Sequence, residues 1–317
     1  MQTHINATYS DPSIAVLCGG VGAARFLEGL VQVVPPHTIN AIINTGDDIE
    51  LHGLEISPDV DIVLCTLAGL IHPGQGWGIV DDTDHCMSML ARLGAPNWFM
   101  LGDKDLALHI QRTALLKQGQ SATQIAQQFG RALGVDVQLL PMTHQNVQTH
   151  IETPDGSVHF QHFLVRDRAK AHITGISYQG IAEATATDEV WAALRSASRI
   201  CIAPSNPIVS VGTILALPGV RDFLQNRTVP VVAVSPIVGG GAIKGPLVPM
   251  LINAGYEVSP LGIAQWYTGL IDTLVIDTVD AAYAPAISAL GITPIITDTI
   301  MRDSATKAAL ARTVLQS

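Results

Sequence analysis

The sequence predicts an α/β fold, with a doubly wound, mostly parallel Rossmann-like sheet that carries an antiparallel β insertion. First, 48% of the residues are hydrophobic and only 14% are charged, and the mean hydropathy is +0.33. This balance is typical of strands that are buried on both faces. Second, short apolar runs alternate along the chain with helical patterns. Third, the length of 317 residues suits one large α/β domain, so residues 1–317 are predicted to form a single domain.

The first elements form a βαβ unit. Ser13–Cys18 is predicted to be a buried strand, Ala23–Val33 a helix and Thr38–Asn44 a second strand. Further helices are predicted at Asp59–Leu70, Asp84–Leu93, Leu106–Gln118 and Ala122–Leu133, and a strand at Val137–Leu140. Ser121 is the expected N-cap of the last of these helices, because a serine hydroxyl accepts a hydrogen bond from a free N–H of the first turn.

Residues 147–178 differ from the rest and are predicted to form a β-rich, mainly antiparallel insertion within the domain. Gln148–Glu152 and Val158–Val165 are β-like and flank a Pro-Asp-Gly turn, which is a strong hairpin signal. No linker-like composition brackets the region, so we do not expect a separate domain. His159 and His162 are three apart in a β-like run and are expected to point to opposite faces, which argues against a zinc site there.

The alternation of strands and helices then resumes. Strands are predicted at Arg199–Ala203, Val229–Val234, Thr273–Ile276 and Thr293–Ile296, and helices at Val190–Ala197, Val220–Gln225, Pro246–Ala254 and Ser304–Leu315. Ligands of a doubly wound sheet bind at the carboxyl ends of its strands. The loops that follow the strands are therefore the candidate functional segments.

Composition and charge exclude several classes of protein. The formal net charge of -10 disfavours binding to nucleic acid or to anionic membranes. The longest apolar stretches are interrupted by polar residues, and Met1–Pro12 lacks the pattern of a signal peptide, so we expect a cytoplasmic protein without a membrane span. The cysteines form no Cys-x-x-Cys pair, and we expect buried small hydrophobic residues rather than a disulfide framework at Cys18, Cys65, Cys86 and Cys201.

The loop after the first strand is rich in glycine, with Gly19, Gly20 and Gly22. Glycines let a backbone approach a ligand closely, and the N–H groups at the start of the next helix suit an anion. A dinucleotide fingerprint requires a third glycine where Arg25 stands, and no Gly-Lys-Ser/Thr follows as in a P-loop. The loop predicts phosphate or nucleotide binding, although such turns also occur in purely structural roles.

Carboxylates crowd the segment after the second strand, where Asp47, Asp48, Asp59 and Asp61 lie within a short stretch that begins at Asn44. Carboxylates gathered at the end of a strand repel one another unless a cation lies between them, and hard oxygen ligands suit Mg²⁺. Helix capping is an alternative explanation for Asp59, because acidic residues favour the first turn of a helix. It does not explain Asp47 and Asp48, which precede the helix.

Two loops in the first half of the chain carry further candidates. Trp77 lies between two glycines and is expected either to contact a ligand or to pack at the edge of the domain. Lys104, between Asp103 and Asp105 at a predicted helix start, suits a phosphate as a point charge. A surface ion pair is the alternative role for this lysine.

Two loops in the second half complete the set. Ser205 and Asn206 follow a predicted strand, and so does a glycine run at 239–241 that is followed by Lys244. Both loops lie where a doubly wound sheet places its ligands. The glycines offer backbone N–H donors, and the lysine adds positive charge.

Together these segments resemble the 2-phospho-L-lactate transferase family, in the same order and over nearly the whole chain from about residue 13 to 305. The matching segments are GGVGAARFLEGL, NTGDD, ISPDVDIVL, GWGIVDDT, LGDKDLALHI, APSNPIVSVGTI and SPIVGGGAIKGP. The resemblance implies a Mg²⁺-dependent, dimeric enzyme of coenzyme F-420 biosynthesis. In that reaction the ribityl hydroxyl of the deazaflavin FO attacks the phosphorus of a guanosine diphosphate ester of lactate or enolpyruvate, and GMP leaves.

The resemblance also implies roles for individual residues. The predicted binding residues for nucleotide and substrates are Gly19, Gly20, Gly22, Asn44, Asp59, Lys104, Ser205, Asn206 and Gly240. Asp47, Asp48 and Asp61 are the predicted magnesium ligands. A carboxylate near the acceptor hydroxyl can take its proton, and Asp48 and Asp61 are both candidates for this catalytic role.

Two other functions are compatible with parts of the pattern. A nucleotide-sugar-binding regulator of the same superfamily shares the first glycine loop but performs no transfer, and the aspartates of ISPDVD and LGDKD favour the transferase. An NAD-dependent oxidoreductase is disfavoured by Arg25 in place of the third glycine. The residues do not decide between the two donor acids, which differ by two hydrogens.

Overall fold

The computed structural model describes residues 12–72, 76–242 and 245–317 of the chain. The strands are β1 Ile14–Cys18, β2 Ile39–Ile43, β3 Ile49–Leu51, β4 Leu54–Ile56, β5 Gln138–Pro141, β6 Gln148–Thr153, β7 Gly156–His159, β8 Gly175–Gln179, β9 Arg199–Ile202, β10 Val231–Val234, β11 Ile237–Val238, β12 Gly241–Ala242, β13 Thr273–Asp277 and β14 Thr293–Thr297. The helices are α1 Gly20–Leu30, α2 Pro58–Leu67, α3 His85–Arg92, α4 Asp103–Lys117, α5 Ala122–Ala132, α6 Asp188–Ser196, α7 Val211–Ala216, α8 Val220–Gln225, α9 Leu247–Asn253, α10 Pro260–Trp266, α11 Ala284–Ser288 and α12 Ser304–Gln316.

A seven-stranded parallel sheet forms the centre of the fold, in the order β14-β13-β10-β9-β1-β2-β5. Strand β1 lies between β2, the next strand along the chain, and β9, which follows much later. The chain therefore winds away from β1 in both directions. The gap between the carboxyl ends of β1 and β9 is the topological switch point, where sheets of this kind bind their ligands.

Both faces of the central sheet are buried, as the composition predicts. Along β1, Ala15 and Leu17 enter one hydrophobic cluster while Val16 and Cys18 enter another on the opposite face. This alternation follows from the two-residue period of a strand. Helices α1, α2, α5 and α12 contribute to the second cluster, and α6 to α10 contribute to the first.

The predicted α/β order is confirmed, with strand and helix ends that differ by a few residues. Ser121 caps α5 by accepting a hydrogen bond from the Gln124 N–H at 3.2 Å, as expected. The sequence did not predict α7, α10 or α11, nor the hairpin of β3 and β4, which are short and carry weak periodic patterns. Cys18, Cys65 and Cys201 are buried as expected, but Cys86 is exposed, which corrects that prediction.

The insertion is present as a three-stranded antiparallel sheet in the order β7-β6-β8. The predicted β-like run Val158–Val165 is wrong beyond His159, because His162–Arg166 forms a π-helical turn. The turn buries both Phe160 and Phe163 in the same core cluster, whereas an extended strand points residues three apart to opposite faces.

The same turn overturns the expected separation of two histidines. The ring centroids of His159 and His162 are only 5.9 Å apart, and the two rings are not on opposite faces of a strand. In the parts of the chain that the structure describes, no helix is long and apolar enough to cross a membrane.

Candidate functional site

Two loops meet at the switch point between β1 and β9. The Gly19 N–H donates to the Ser205 hydroxyl at 3.2 Å, and that hydroxyl donates to the Gly19 carbonyl at 2.9 Å. A Cβ atom on Gly22 would clash with the carbonyl oxygen of Pro204, so only glycine allows α1 to approach the second loop this closely. The predicted loops at 19–22 and 203–207 thus form one continuous surface at the start of α1.

Asn44 joins this surface to the acidic segment. Its amide nitrogen donates to Asp59 at 2.9 Å and to Asp47 at 3.2 Å, and its amide oxygen accepts from the Gly46 N–H at 2.9 Å. The backbone of Gly20, which has a positive φ of 72°, also hydrogen-bonds Asp59. The side chain of Asn44 therefore holds two carboxylates against the glycine-rich loop.

Burial makes Asp47 and Asp59 weaker acids than ordinary aspartates. It raises the pKa of Asp59 to about 6, although hydrogen bonds from Asn44 and Gly20 work in the opposite direction. Burial, together with the neighbouring charge of Asp59, also raises the pKa of Asp47 well above its usual range. The raised pKa values mean that ionising both groups is unfavourable, and among the described residues no cationic side chain forms an ion pair with either of them.

Asp48 has one satisfied and one unsatisfied carboxyl oxygen. The Ser57 hydroxyl donates to Oδ2 at 2.7 Å, while Oδ1 is buried and has no hydrogen-bond partner among the residues that the structure describes. The hydroxyl of Thr45 is also buried without a partner. Burial raises the pKa of Asp48 well above that of an ordinary aspartate. Such unsatisfied polar atoms are rare in folded proteins and often mark a place that a ligand completes.

The insertion supports the loop that carries Asp48. His159 lies 3.2 Å through Nε2 from the Asp48 carbonyl, and its Nδ1 accepts the Gln161 N–H at 3.1 Å. Since Nδ1 is an acceptor, Nε2 carries the proton and donates to Asp48. Burial lowers the pKa of His159 to about 4, which keeps the ring neutral and in this tautomer.

Among the described residues, Asp61 is the one of these four aspartates that forms an ion pair. Arg112 donates to both of its carboxyl oxygens, with NH1 at 3.1 Å from Oδ2, and also to the Glu55 carbonyl at 3.2 Å. His109 lies on the same face of α4, with Nδ1 3.6 Å from Asp61, and burial lowers its pKa to about 4. Sequence reasoning missed Arg112, although it lies three residues after His109 on the buried face of α4.

Magnesium was predicted at Asp47, Asp48 and Asp61, but among the described residues these three side chains have different hydrogen-bond partners and do not form one set. Within the described ranges, no three His, Cys, Asp or Glu side chains are placed to hold a metal ion by themselves. Mg²⁺ commonly takes only one or two carboxylates and completes its shell with water and substrate phosphates. Asp47 and Asp59, which the amide of Asn44 holds together, fit such a partial site.

Lys104 lies at the start of α4, and its hydrogen bonds to described residues go to the segment at 80–82 rather than to the acidic segment. Its Nζ donates to the Val80 carbonyl at 2.6 Å, and its backbone N–H donates to Asp82 at 2.8 Å. Asp103 instead accepts from the Thr83 hydroxyl at 2.6 Å. Lys104 therefore ties α4 to the segment that follows Trp77, and Trp77 itself is 57% exposed.

The remaining predicted residues lie in the second-half loops. The Asn206 side-chain oxygen accepts from the N–H groups of Ile208 and Val209 at 2.9 and 3.2 Å, which fixes the loop after β9. Gly240 lies at the exposed turn between β11 and β12. The predicted contribution of Lys244 falls outside the described residues.

A cavity of about 430 Å³ opens beside the acidic segment at the carboxyl ends of β2 and β5. We call it the α5 cavity, because α5 forms one wall through Ala122, Ile125 and Phe129. Thr45 and Asp48, two of the side chains with an unsatisfied polar atom, also belong to its lining.

Comparison with known proteins identifies the family and the fold of this chain. A family model described as 2-phospho-L-lactate transferase CofD matches residues 14–314. A phosphoenolpyruvate transferase of Streptomyces griseus is 41% identical, over 96% of this chain and 97% of the relative. A 2-phospho-L-lactate transferase of Methanococcoides burtonii is 36% identical, over 90% of this chain and 93% of the relative. A crystal structure of a UPF0052 family protein from Bacillus halodurans shares the fold, with a TM-score of 0.65 at 18% identity over 96% of this chain and 99% of that one.

Proposed function

This chain belongs to the 2-phospho-L-lactate transferase CofD family, and we propose that it transfers a phospholactyl or phosphoenolpyruvyl group from a guanosine diphosphate ester to the ribityl hydroxyl of the deazaflavin FO. The observation that carries the proposal is the junction of the loop at 19–22, the loop at 203–207 and the acidic segment through Asn44 and Ser205. Relatives named as transferases favour this activity over a nucleotide-sugar-binding regulator.

The donor diphosphate is best accommodated at the switch point. The start of α1 offers a helix dipole and N–H groups to an anion, and Gly20 leaves no Cβ atom in the way. The Ser205 loop packs directly against this position. A phosphate placed there lies beside the acidic segment, where the acceptor must arrive.

The reaction forms a bond between the acceptor oxygen and phosphorus and breaks the bond between that phosphorus and the oxygen of the leaving GMP. The acceptor hydroxyl loses its proton in this step. We assign the proton to Asp48 rather than to Asp61, because Asp48 Oδ1 has no partner whereas Arg112 occupies both oxygens of Asp61. The raised pKa of Asp48 makes it a stronger base than an ordinary carboxylate.

We propose that Mg²⁺ is needed and that oxygens of Asp47 and Asp59 would hold it together with donor phosphates, which leaves Asp48 Oδ1 free to take the proton, with Asp61 acting through its pair with Arg112. When bound, the ion supplies charge neutralisation, which is the main requirement of phosphoryl transfer. The protein itself contributes the placement of the carboxylates through Asn44 and Ser57. Lys104 is proposed to act at the edge of the site through the segment that it anchors.

Between the two donors we propose the phosphoenolpyruvyl ester. The support is the naming of relatives, because those named phosphoenolpyruvate transferase reach 41% identity and those named 2-phospho-L-lactate transferase reach 36%. The two acids differ by two hydrogens, so this preference depends on small contacts in the donor site.

The test is an assay of the purified protein with FO, Mg²⁺ and each guanosine diphosphate ester in parallel. We expect equimolar GMP and phosphorylated deazaflavin, with faster turnover of the enolpyruvyl donor. If neither donor yields GMP or a modified deazaflavin, the proposed function is wrong. A matched reaction with a chelator in place of Mg²⁺ tests the metal requirement and should show little turnover.

A further inference from the structure

We propose that the insertion is a positioning element that holds the donor loop and the acidic segment at a fixed separation, and that Tyr178 is its positioning residue for the donor. The donor loop is the segment at 203–209, which follows β9. This inference rests on the proposed function, and it gives the three-stranded sheet β7-β6-β8 a role in the reaction. It depends on one pair of facing residues that contacts both segments.

Thr149 and Tyr178 lie directly opposite each other in the ladder of β6 and β8. Opposite residues of an antiparallel pair project from the same face of the sheet, so these two side chains are neighbours. Thr149 is fully buried and Tyr178 is half-buried, because this face of the insertion packs on the central domain. The pair therefore forms one contact surface.

Thr149 contacts the acidic segment. Its N–H donates to the Gly46 carbonyl at 2.7 Å, one residue before Asp47. A Cβ atom on Gly46 would lie 2.7 Å from the Thr149 hydroxyl oxygen, so only glycine lets the acidic segment approach β6 this closely. The insertion thus fixes the acidic segment at the point where its carboxylates begin.

Tyr178 contacts the donor loop. Burial raises the pKa of its hydroxyl, so this group is protonated and donates to the Ile208 carbonyl at 2.7 Å. The N–H groups of Ile208 and Val209 in turn bind the side chain of Asn206, and the neighbouring Ser205 pairs with the glycine-rich loop. The Tyr178 hydroxyl therefore holds the segment that shapes the donor site.

The same pair also contacts the start of α7. The Thr213 hydroxyl donates to a carbonyl of the donor loop at 2.8 Å, so the Thr149 hydroxyl, 3.4 Å away, is the donor in the contact between the two threonines. A Cβ atom on Gly212 would lie 2.8 Å from both the Tyr178 hydroxyl and the Pro207 carbonyl. The insertion thus packs tightly against the donor loop and the helix that follows it.

An element that binds both segments sets the distance between the donor phosphorus and the group that activates the acceptor. Group transfer is sensitive to this distance, since a displacement of about 1 Å can cost about 10²-fold in rate. The contacts are divided between the segments, because Tyr178 holds the donor loop while His159 of the same sheet binds the Asp48 carbonyl at 3.2 Å. The two contacts should therefore have separable kinetic effects.

The first test replaces Tyr178 with phenylalanine, which keeps the packing of the ring and removes only the hydroxyl. The donor loop then loses its hydrogen bond to the insertion, so the Kd of GDP and the donor KM should rise about five- to tenfold, as for the loss of one hydrogen bond. The acceptor KM, and kcat at saturating donor, should stay within twofold of wild type. Binding of GDP is measured by calorimetric titration with Mg²⁺ present.

Tyr283→Phe is the matched control. Tyr283 is also half-buried, and its hydroxyl donates to a carboxyl oxygen of Glu257 at 3.2 Å, a contact outside the insertion, the donor loop and the acidic segment. This variant should bind GDP within twofold of wild type. The comparison separates the loss of this particular contact from the loss of any tyrosine hydroxyl.

The second test removes the contact with the acidic segment. His159→Leu deletes the hydrogen bond to the Asp48 carbonyl and should lower kcat at least tenfold, with the Kd of GDP within twofold of wild type. His159→Gln, whose amide can also donate to that carbonyl, should recover part of the lost kcat. A sheet with a merely structural role would change the Kd of GDP and kcat together in Tyr178→Phe and in His159→Leu.

The inference is overturned if Tyr178→Phe binds GDP with wild-type affinity, or if Tyr178→Phe and His159→Leu change the Kd of GDP and kcat in the same proportion. In those cases a wild-type protein that still converts both substrates keeps the proposed function intact. Wild-type protein that binds GDP in a Tyr178-dependent manner but releases no GMP from the donor ester has the opposite meaning, because the positioning role stands and the transferase proposal fails.

Discussion

At the scale of single residues, the four aspartates of the acidic segment have different chemical environments. Asp61 is neutralised by Arg112, Asp47 and Asp59 share the amide of Asn44, and Asp48 keeps one oxygen without a partner. Four aspartates within fifteen positions of the chain therefore differ in charge compensation and in hydrogen bonding. The cause is the set of neighbours supplied by α4, the glycine-rich loop and Ser57.

Replacing Asp48 and Asp61 by asparagine should therefore have contrasting effects. Asp48→Asn is expected to lower kcat by about 10²–10⁴-fold, as for the loss of a general base, and to leave the free energy of unfolding at neutral pH unchanged or higher, because burial raises the pKa of Asp48. Asp61→Asn leaves the buried Arg112 guanidinium without its counter-charge and should cost about 3–5 kcal/mol of stability. Turnover at saturating Mg²⁺ and urea unfolding measure the two quantities. Near-normal turnover of Asp48→Asn contradicts its assignment as the base.

The raised pKa of Asp59 predicts a pH dependence of stability. Its pKa in the folded protein is about 6, above the ordinary value of 3.8, so the folded state binds more protons than the unfolded state between these values. The contribution of Asp59 to the free energy of unfolding therefore falls as the pH rises from about 4 to 6, by on the order of 3 kcal/mol in all.

Asp59→Asn removes that loss. The free energy of unfolding of the variant, minus that of wild type, should grow from pH 4 to pH 6 and then level off, in urea titrations with a chelator present. The comparison with wild type is needed because the lowered pKa values of His109 and His159 make the stability of both proteins rise from pH 4 to pH 6. A difference that is constant across this range contradicts a raised pKa of Asp59.

At the scale of secondary-structure elements, the site depends on how closely neighbouring loops approach one another. Helix α1 begins directly after β1, and Gly22 brings its first turn against the loop after β9. The β6–β8 sheet supports the acidic segment from the other side, through the hydrogen bond from His159 to the Asp48 carbonyl. The insertion is therefore part of the site's framework.

Gly22→Ala tests the contact between these loops. The added methyl group clashes with the Pro204 carbonyl, and this backbone group can move only if the whole loop after β9 moves. We therefore expect the free energy of unfolding to fall by about 1–3 kcal/mol and the donor KM to rise. Gly175→Ala on β8 is the control, because a Cβ atom there makes only ordinary contacts of 3.5 Å with Glu152. Equal effects of both changes argue against a special role for the approach at Gly22.

At the scale of the whole molecule, the order of strands places the β1 and β9 loops together and sets the α5 cavity beside them. Several large apolar side chains are exposed between residues 77 and 110, including Leu93 at 77%. We propose that the protein is a homodimer, as the family resemblance implies. Sedimentation equilibrium should give twice the chain mass of 33.5 kDa, and a mass equal to one chain contradicts the dimer.

The sequence by itself determined the alternation of strands and helices, the parallel sheet and the loops that meet at its carboxyl edge. These features depend on local patterns, such as the apolar run of β1, the glycines after it and the serine cap of α5. The family was also recognisable, because its segments occur in order along the chain. The π-helical turn after β7 was not predicted, because the apolar pattern of a short strand also fits a turn that buries two phenylalanines.

Only the tertiary structure decided the hydrogen-bond partners and the proposed role of each aspartate. Arg112 is 51 residues from Asp61 in the chain, and its choice of that carboxylate over Asp48 depends on the packing of α4 against β4. The unsatisfied oxygen of Asp48 and the α5 cavity likewise arise from elements that are far apart in sequence. Local patterns predict where charged groups occur, whereas their partners, burial and acidity follow from three-dimensional neighbours, because electrostatic and hydrogen-bond energies depend on distance in space.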